Sequence, residues 1–231
     1  MKKFNIILLL MMVPLMSLGA YFKGNYLGIG MIEDEPIDFC VNLELDGEDA
    51  EYNVGEVYHF LSSYTSTVSG KNITVTVKVP GYPVSVLKST DGGKSFEGSI
   101  TLSLGLIKLR LLKVPKKLRQ TDMENVDISS IINSGKDYSA FVKIEKGGGT
   151  FMARGKFEFF KDGEFHFITE NPKLKNLFSD YNGSYEFENN KIILTKKNGN
   201  TLSGLIYDDG NYIIIPLGRE DGMDMELILI R

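Results

Sequence analysis

The chain has 231 residues and a formal net charge of −4, from 26 lysine and arginine residues against 30 aspartate and glutamate residues. This acidic balance argues against nucleic acid or an anionic membrane surface as a partner. The single cysteine, Cys40, cannot form an internal disulfide, so packed side chains must hold the fold together, and the 42% hydrophobic content is ample for that.

The first 20 residues have the pattern of a secretory signal peptide. Lys2 and Lys3 give a basic start, residues 4–18 are almost all apolar, and the run ends in the small residues Gly19 and Ala20. This apolar stretch is too short to span a bilayer comfortably. The sequence therefore predicts export, with a soluble mature protein in the periplasm or outside the cell and no membrane span.

Residues 21–114 are predicted to form a first β-domain. Apolar and polar residues alternate over residues 73–79, and the strand ends at Pro80-Gly81. The turn Asp91-Gly92-Gly93 leads into further alternating residues from 96 to 110. These features are typical of antiparallel strands that follow one another in the chain.

The strand pattern lapses over residues 115–136, which we interpret as a linker between two domains. Asp127 is a candidate N-cap and Gly135 a candidate C-terminal glycine, so a short helix is predicted there. The two halves of the chain end in strands of the same kind, residues 107–113 and 225–231, which suggests an internal duplication.

Residues 137–231 are predicted to form a second β-domain. Asp162-Gly163 lies between two alternating runs and predicts a hairpin, because glycine accepts positive φ. Asn171-Pro172 opens a second candidate helix. The whole chain is thus predicted to be all-β, with two small antiparallel barrels or barrel-like sandwiches and one or two short helices.

The second half resembles a lipocalin-like (calycin-type) β-barrel domain of exported bacterial proteins. The resemblance rests on residues 157–165, 182–194 and 225–229. The first half is more loosely similar to small exported β-domains, through its opening at residues 21–24. Lipocalins usually carry Gly-x-Trp at the start of the barrel, whereas this chain has no tryptophan. The resemblance implies an up-and-down barrel, which in some members holds a small apolar ligand and in many others has a filled interior.

An open second barrel would hold its ligand among the aromatic residues of that half. Leu174, Leu177 and Phe178 would then form a lid over the pocket. The predicted ligand-binding residues are Phe157, Phe159, Phe165, Phe167, Leu174, Leu177, Phe178, Tyr185 and Phe187. The alternative is that these side chains simply fill the core.

No motif indicates a catalyst, a cofactor or a metal site. His59 and His166 have no second histidine or cysteine at ligand spacing, and no serine lies in a Gly-x-Ser-x-Gly motif. The acidic residues between positions 33 and 56 lack the regular spacing of a calcium loop, which favours a solvated acidic face. The sequence predicts that the protein is not an enzyme and binds no cofactor.

Two charged strands give a specific prediction about the first domain. Glu44 and Asp46 share one face of a strand, and Lys108 and Arg110 share one face of another, within a basic stretch that runs to Arg119. We predict that these strands are neighbours that close the domain, with charge pairs between them.

Two main classes of function follow. The first is a non-enzymatic binding protein for a small apolar ligand held in a β-barrel. The alternative is a protein-interaction or cell-envelope assembly module with filled barrels and a protein partner. A weaker third reading is a hydrolase accessory domain that acts without its enzyme. A cavity in the second domain favours the first class, and filled cores with an exposed apolar patch favour the second.

Overall fold

The computed structural model describes residues 21–33, 38–121, 127, 138–172, 175–176, 178–188, 191–220 and 222–231. The predicted signal peptide, almost all of the helix predicted over residues 127–135, and the candidate lid residues Leu174 and Leu177 lie outside these ranges. Among the described residues, no helix has the length and apolar character needed to cross a membrane.

The first barrel consists of eight antiparallel strands that follow one another in chain order. They are β1 (Gly24–Ile32), β2 (Asp38–Asp46), β3 (Asp49–Val54), β4 (Tyr58–Ser69), β5 (Asn72–Lys78), β6 (Ser85–Ser89), β7 (Ser95–Leu102) and β8 (Gly105–Val114). Strand β1 closes this barrel because it pairs with β2 on one side and with β8 on the other.

The second barrel repeats this order with the next eight strands. They are β9 (Tyr138–Lys146), β10 (Gly149–Phe159), β11 (Glu164–Thr169), β12 (Asn182–Glu188), β13 (Lys191–Lys196), β14 (Thr201–Tyr207), β15 (Tyr212–Glu220) and β16 (Met223–Ile230). Strand β9 closes it by pairing with β10 and β16. The predicted all-β class with antiparallel barrels is therefore confirmed.

The helices contribute little to the described part of the chain. Pro172 has 3-10 helical geometry, and the described residues from 175 to 180 form turns, with hydrogen bonds from Lys175 N to Pro172 O and from Tyr181 N to Phe178 O. Another short 3-10 turn lies at Asp208–Gly210. Of the helix predicted to open at Asn171-Pro172, the described residues thus show 3-10 geometry at Pro172, followed by turns.

The β10–β11 hairpin forms where the sequence predicts it. Gly163 has a φ of 87°, a conformation that glycine adopts without strain. Phe157 lies opposite Phe167, and both side chains are buried. His166 lies on the other face, where its ring meets that of Phe160 at 4.9 Å between centroids. The alternation therefore sends the phenylalanines inward and the histidine outward.

A cluster of apolar side chains joins the outer faces of the two barrels. Ile29 and Cys40 from the first barrel pack with Phe141, Met152 and Ile230 from the second. Next to this cluster, β2 and β10 form a short antiparallel ladder. The two barrels therefore share a third hydrophobic core in addition to one core each.

The start of the linker packs along the second barrel. Thr121 N donates a hydrogen bond to Ile206 O at 3.0 Å, and Thr121 Oγ1 accepts one from Asp209 N at 2.9 Å. Asp208 N donates to Arg119 O at 2.9 Å. The chain that leaves the first barrel is thus held against the turn between β14 and β15.

The predicted pairing of the two charged strands is wrong. β1 lies between β2 and β8, so Glu44 and Arg110 are not on neighbouring strands. Arg110 instead faces Glu97 on β7 at 3.9 Å, and Lys116, just beyond β8, reaches Glu44 at 2.6 Å. The prediction failed because alternation within a strand does not reveal which distant strand closes the barrel.

Candidate ligand-binding cavity at the barrel junction

The described members of the predicted aromatic pocket lie inside the second barrel. Four of them are buried: Phe157, Phe165, Phe167 and Phe178. Three more pack partly buried against the same core: Phe159, Tyr185 and Phe187. The rings contact one another, since Phe157 stacks on Phe165 at 5.3 Å and Phe167 meets Phe178 edge-on at 5.3 Å. The structure brings these seven side chains together as a packed cluster.

A cavity of about 570 Å³ lies between the two barrels, and none of those seven aromatic residues lines it. Both barrels contribute to its wall. The lining residues are Lys94, Leu112, Lys113, Ser139, Asn211, Tyr212, Ile230 and Arg231. The cavity is therefore a property of the assembled pair of barrels.

The arrangement of strands explains why a gap opens here. β2 and β10 hydrogen-bond to each other at Phe39–Phe151 and Asp38–Met152. β8 and β16 lie on the far side of β1 and β9 from that ladder, and their ends line the cavity. The barrels thus touch along one side of the shared interface and leave space along the other.

In the first barrel, a buried tyrosine fixes the corner of the cavity. Tyr26 Oη donates a hydrogen bond to Gly93 O at 2.9 Å, and burial raises the pKa of the Tyr26 hydroxyl. Lys113 N donates to Lys94 O at 2.8 Å immediately beside it. These bonds hold the backbone of both lysines at the cavity rim.

The second barrel contains the same arrangement. Tyr138 Oη donates to Gly210 O at 2.6 Å, and burial raises the pKa of Tyr138 to about 12, against an opposing effect of Arg231. Arg231 N donates to Asn211 O at 3.0 Å. Gly93 and Gly210 both have positive φ, 83° and 82°. We call each tyrosine–glycine hydrogen bond, with its neighbouring backbone bond, a tyrosine latch.

The strand registers show that the two latches occupy equivalent positions. Leu112 faces Ser95 on β7 and Leu27 on β1. Ile230 faces Tyr212 on β15 and Ser139 on β9. Leu112 therefore corresponds to Ile230, and the next residue along, Lys113, corresponds to Arg231.

An approximate two-fold axis relates the barrels. Tyr26 faces Leu43 on β2, and Tyr138 faces Phe157 on β10. Leu43 and Phe157 are therefore equivalent, and so are the residues five positions before them, Asp38 and Met152. Asp38 and Met152 pair with each other across the junction. Equivalent positions that pair with each other lie on a two-fold axis. The cavity is lined by Leu112 and its equivalent Ile230, and by Lys113 and its equivalent Arg231.

The lining of the cavity includes two aliphatic residues and three basic ones. Leu112 and Ile230 belong to the apolar junction, and Ile230 is only 5% exposed. The charged side chains of the lining are Lys94, Lys113 and Arg231. Tyr212 Oη donates a hydrogen bond to Lys113 O at 3.1 Å, which ties the two barrels together across the cavity.

Aromatic rings support two of these cations. Lys113 Nζ lies 5.8 Å from the centroid of the Phe22 ring, and the Arg231 guanidinium lies 5.7 Å from that of Tyr138. Contacts of this kind orient a cation without neutralising its charge. Phe22 packs against the core of the first barrel and Tyr138 lies in the core of the second, so each contact places its cation over a ring of its own barrel.

A second groove, on the outer face of β9 and β16, is lined by ion pairs. Lys143 Nζ lies 2.6 Å from Glu145, and Arg219 lies 3.9 Å from Asp224. Burial raises the pKa of the Glu226 carboxyl, an effect that Lys143 opposes. Among the described residues, no group of three or more histidine, cysteine, aspartate or glutamate side chains is placed to hold a metal ion. We interpret this groove as a paired charged surface.

The comparisons with known proteins give no identification. Neither a family model nor a curated protein nor a solved structure matches this chain. The up-and-down order of the strands is the order that the lipocalin-like resemblance implies. The relationship itself stays a prediction.

Sequence reasoning missed the junction cavity. Its lining comes from separate segments around residues 94, 112, 139, 211 and 230, which no local pattern connects. The one available signal was the basic stretch from Lys108 to Arg119, which contains Lys113. This stretch predicts charge pairs between strands and not a cavity, because the sequence does not reveal which outer face the second barrel covers.

Proposed function

We propose that the protein is an exported, non-enzymatic binding protein for a small, largely apolar ligand, and that the ligand binds in the junction cavity. The observation that carries the proposal is the cavity of about 570 Å³, to which both barrels contribute an apolar side chain, Leu112 and Ile230. Ligand sites typically occupy about 300–1,000 Å³, lie at domain interfaces and combine an apolar wall with a few polar groups.

The packing of the second barrel supports the junction over the barrel interior. Phe157 and Phe165 are fully buried and stacked on each other. A ligand inside this barrel would have to displace such contacts, whereas the junction cavity needs no displacement. Export is proposed from the N-terminal pattern of basic, apolar and small residues.

The alternative, a protein-interaction or envelope-assembly module, is supported by exposed apolar side chains on the first barrel. Leu61 is 65% exposed, Val84 55% and Leu106 53%. Exposed apolar residues that cluster into a large patch mark interaction surfaces. A protein partner would bind this outer surface and would leave the junction cavity unaffected.

Native mass spectrometry, followed by organic extraction, tests the proposal on protein purified from its own host. We expect a bound small molecule in near-stoichiometric amount. Ser139→Trp, which places a large ring in the cavity wall, should lower the bound fraction at least about tenfold, because the ring and the ligand would compete for the same volume.

Ser203→Trp provides the matched control, since Ser203 is an exposed residue on β14 outside the cavity lining. It should bind as much ligand as the unmodified protein. Protein that carries no small molecule, or that binds it equally well with Trp at position 139, would contradict the proposal. A co-purifying protein in place of a small molecule would favour the alternative.

A further inference from the structure

We propose that one end of the first barrel binds the surface of a lipid bilayer. This end carries the turns that follow β3, β5 and β7, and the inference does not depend on the junction cavity. Most of the exposed aliphatic side chains of the described residues lie at or next to this end, each between 39% and 65% exposed. We call them the apolar tip: Val57, Leu61, Val84, Val86, Leu104 and Leu106.

Side-chain contacts hold the turns of this end next to one another. Tyr58 Oη and Ser103 Oγ share a hydrogen bond of 2.9 Å, which joins the start of β4 to the turn between β7 and β8. The Phe60 ring meets the Tyr82 ring edge-on at 5.7 Å, which adds the loop between β5 and β6. The three aromatic side chains also pack against the core of the barrel. The apolar tip is therefore supported by a layer of aromatic rings.

The opposite end of the same barrel is polar. Its turns follow β2, β4 and β6 and carry the exposed charged residues Glu48, Lys71 and Lys94. Exposed aliphatic residues that gather in one place mark a contact surface, whereas single ones, such as Val68 beside these polar turns, are common on any protein. The closed barrel has no free strand edge, so a partner must bind the side chains of the tip.

Two strands carry the same order of side chains as they lead away from this end. On the outer face of β6, Val86 is followed by Lys88, and on the outer face of β8, Leu106 is followed by Lys108. Both lysines are exposed, and neither forms an ion pair with another described residue. Each strand therefore has an aliphatic side chain nearer the tip and a free cation farther from it.

The outer face behind the tip is basic, although the whole chain is acidic. Strands β5 to β8, which the structure describes in full, contain one carboxylate, Glu97, and it lies 3.9 Å from Arg110. The turn between β3 and β4 carries an exposed glutamate, Glu56. The basic side of the tip is therefore the side of β6 and β8, where Lys88 and Lys108 lie.

A bilayer surface presents its groups in the same order as these two strands. Aliphatic side chains enter the acyl region, while the lysines behind them reach the phosphate groups nearer the water. Tyrosine rings such as those of Tyr58 and Tyr82 are favoured at this interface. Binding to a protein requires no such order in depth, so the arrangement favours a lipid surface over a protein partner.

The net charge of −4 limits the role of long-range attraction to an anionic membrane. Charges separated by more than about 8–10 Å are largely screened at physiological ionic strength, so the two lysines act only at close range. The apolar tip therefore supplies most of the affinity, and the lysines orient the barrel on the lipid.

Tryptophan fluorescence with vesicles tests which end meets the lipid. The chain has no tryptophan, so Leu104→Trp reports on the tip and Val68→Trp on the opposite end, both at exposed aliphatic positions. The vesicles contain equal parts of phosphatidylcholine and phosphatidylglycerol. Emission from Leu104→Trp should shift to shorter wavelength and be quenched by brominated acyl chains, while emission from Val68→Trp should stay unchanged.

Sedimentation with the same vesicles measures the affinity of further variants. Leu106→Ser should weaken binding about fivefold, because part of an aliphatic side chain no longer leaves water. Lys88→Gln and Lys108→Gln should each weaken it about fivefold, as expected for one lysine near an anionic surface. Ile168→Ser, on the second barrel, and Lys71→Gln, at the opposite end, are the matched controls and should change nothing.

Three results would overturn the inference. The first is a Leu104→Trp emission that does not shift, or that shifts no more than that of Val68→Trp. The second is an unchanged affinity in both lysine variants. The third is a dimer in analytical ultracentrifugation that Leu106→Ser abolishes, which would assign the tip to a second copy of the chain. Ser139→Trp should bind vesicles as the unmodified protein does, which keeps this test separate from that of the junction cavity.

Discussion

The two barrels share strand order, register and tyrosine latch, yet they stabilise the latch turn in different ways. Asp91, two residues before Gly93, accepts hydrogen bonds from the hydroxyls of Ser89 and Ser95 at 2.7 and 2.6 Å. Asp208, two residues before Gly210, has one oxygen 3.4 Å from Arg119 N and a buried second oxygen with no hydrogen-bond partner among the described residues.

This difference shows that the same turn can be stabilised either by its own neighbouring residues or by a segment from outside the barrel. In the first barrel, Asp91 accepts its hydrogen bonds from residues within and beside the turn between β6 and β7. In the second, the turn between β14 and β15 depends on the linker, through Arg119 and Thr121. Asp208 and Asp209 also have positive φ, 47° and 55°, which is unfavourable for a residue other than glycine. The second tyrosine latch therefore depends on contacts from the linker that leaves the first barrel.

The largest expected effect comes from the junction core, where equivalent residues differ in size. Phe141→Ala should cost about 3–5 kcal/mol of unfolding free energy, and Ile29→Ala, its counterpart on β1, about 2–5 kcal/mol. Both side chains are buried in the junction, at 1% and 3% exposure. Differential scanning calorimetry should show a single transition in the unmodified protein that splits into two in Phe141→Ala.

Ile168→Ala serves as the control for that experiment, since Ile168 is 56% exposed on β11. It should change stability by less than about 0.5 kcal/mol. If the unmodified protein already unfolds in two separate transitions, the junction does not couple the unfolding of the two barrels, and the prediction for Phe141→Ala is contradicted.

The two latches should respond alike to loss of the tyrosine hydroxyl. Tyr26→Phe and Tyr138→Phe each leave a buried glycine carbonyl without its donor, at a cost of about 1–3 kcal/mol. Urea denaturation measures both values. If the losses of unfolding free energy in the two variants differ by more than about 1 kcal/mol, the two latches contribute unequally to stability despite their shared geometry.

Replacing the aspartate at the latch turn should clearly lower stability in the first barrel only. Burial alone would raise the pKa of the Asp91 carboxyl, but hydrogen bonds from Ser95, Ser89 and two backbone N–H groups outweigh it and lower the pKa to about 2. Asp91→Asn should cost about 1–2 kcal/mol at neutral pH. Asp208→Asn should cost less than about 0.5 kcal/mol, because it removes a poorly satisfied carboxylate.

The pH dependence provides a separate check on Asp91. A lowered folded-state pKa stabilises the protein fully above the unfolded value of about 3.9, and that stabilisation is lost as the pH falls through about 2. The difference in melting temperature between the unmodified protein and Asp91→Asn should therefore shrink between pH 4 and pH 2. A difference that stays constant across this range would assign the effect to something other than the carboxylate.

The smallest expected effect is the near absence of thiol reactivity at the junction. Burial raises the pKa of Cys40 to about 12, although Lys143 opposes the rise, so the reactive thiolate is scarce at neutral pH. A disulfide reagent should label the folded protein only slowly. Phe141→Ala should accelerate labelling, and rapid labelling of the unmodified protein would show that the junction opens readily.

Much of the fold could be predicted from local patterns. The strand over residues 73–79 corresponds to β5 (Asn72–Lys78), and the Asp162-Gly163 turn joins β10 to β11. The strand alternation and turn glycines depend on neighbouring residues only, which is why a single sequence reveals them. The burial of Phe157 and Phe165 follows from the same alternation.

The junction and its cavity could not be predicted in this way. β1 separates the two charged strands because the first strand closes the barrel, and that pairing joins residues far apart in the chain. Leu112 and Ile230 are outward-facing residues that the facing barrel covers. Which outer face is covered depends on the contact between barrels, and periodicity within a strand carries no information about it.

Single-tryptophan fluorescence tests the central claim, that the ligand binds between the barrels and not within one. The chain has no tryptophan, so Tyr212→Trp reports on the cavity and Tyr185→Trp on the second barrel interior. Each substitution loses one hydroxyl hydrogen bond to a backbone carbonyl, which makes the two variants comparable. When the ligand extracted from the native protein is added, emission should shift in Tyr212→Trp alone. A shift in Tyr185→Trp with none in Tyr212→Trp would place the ligand inside the barrel and contradict the account.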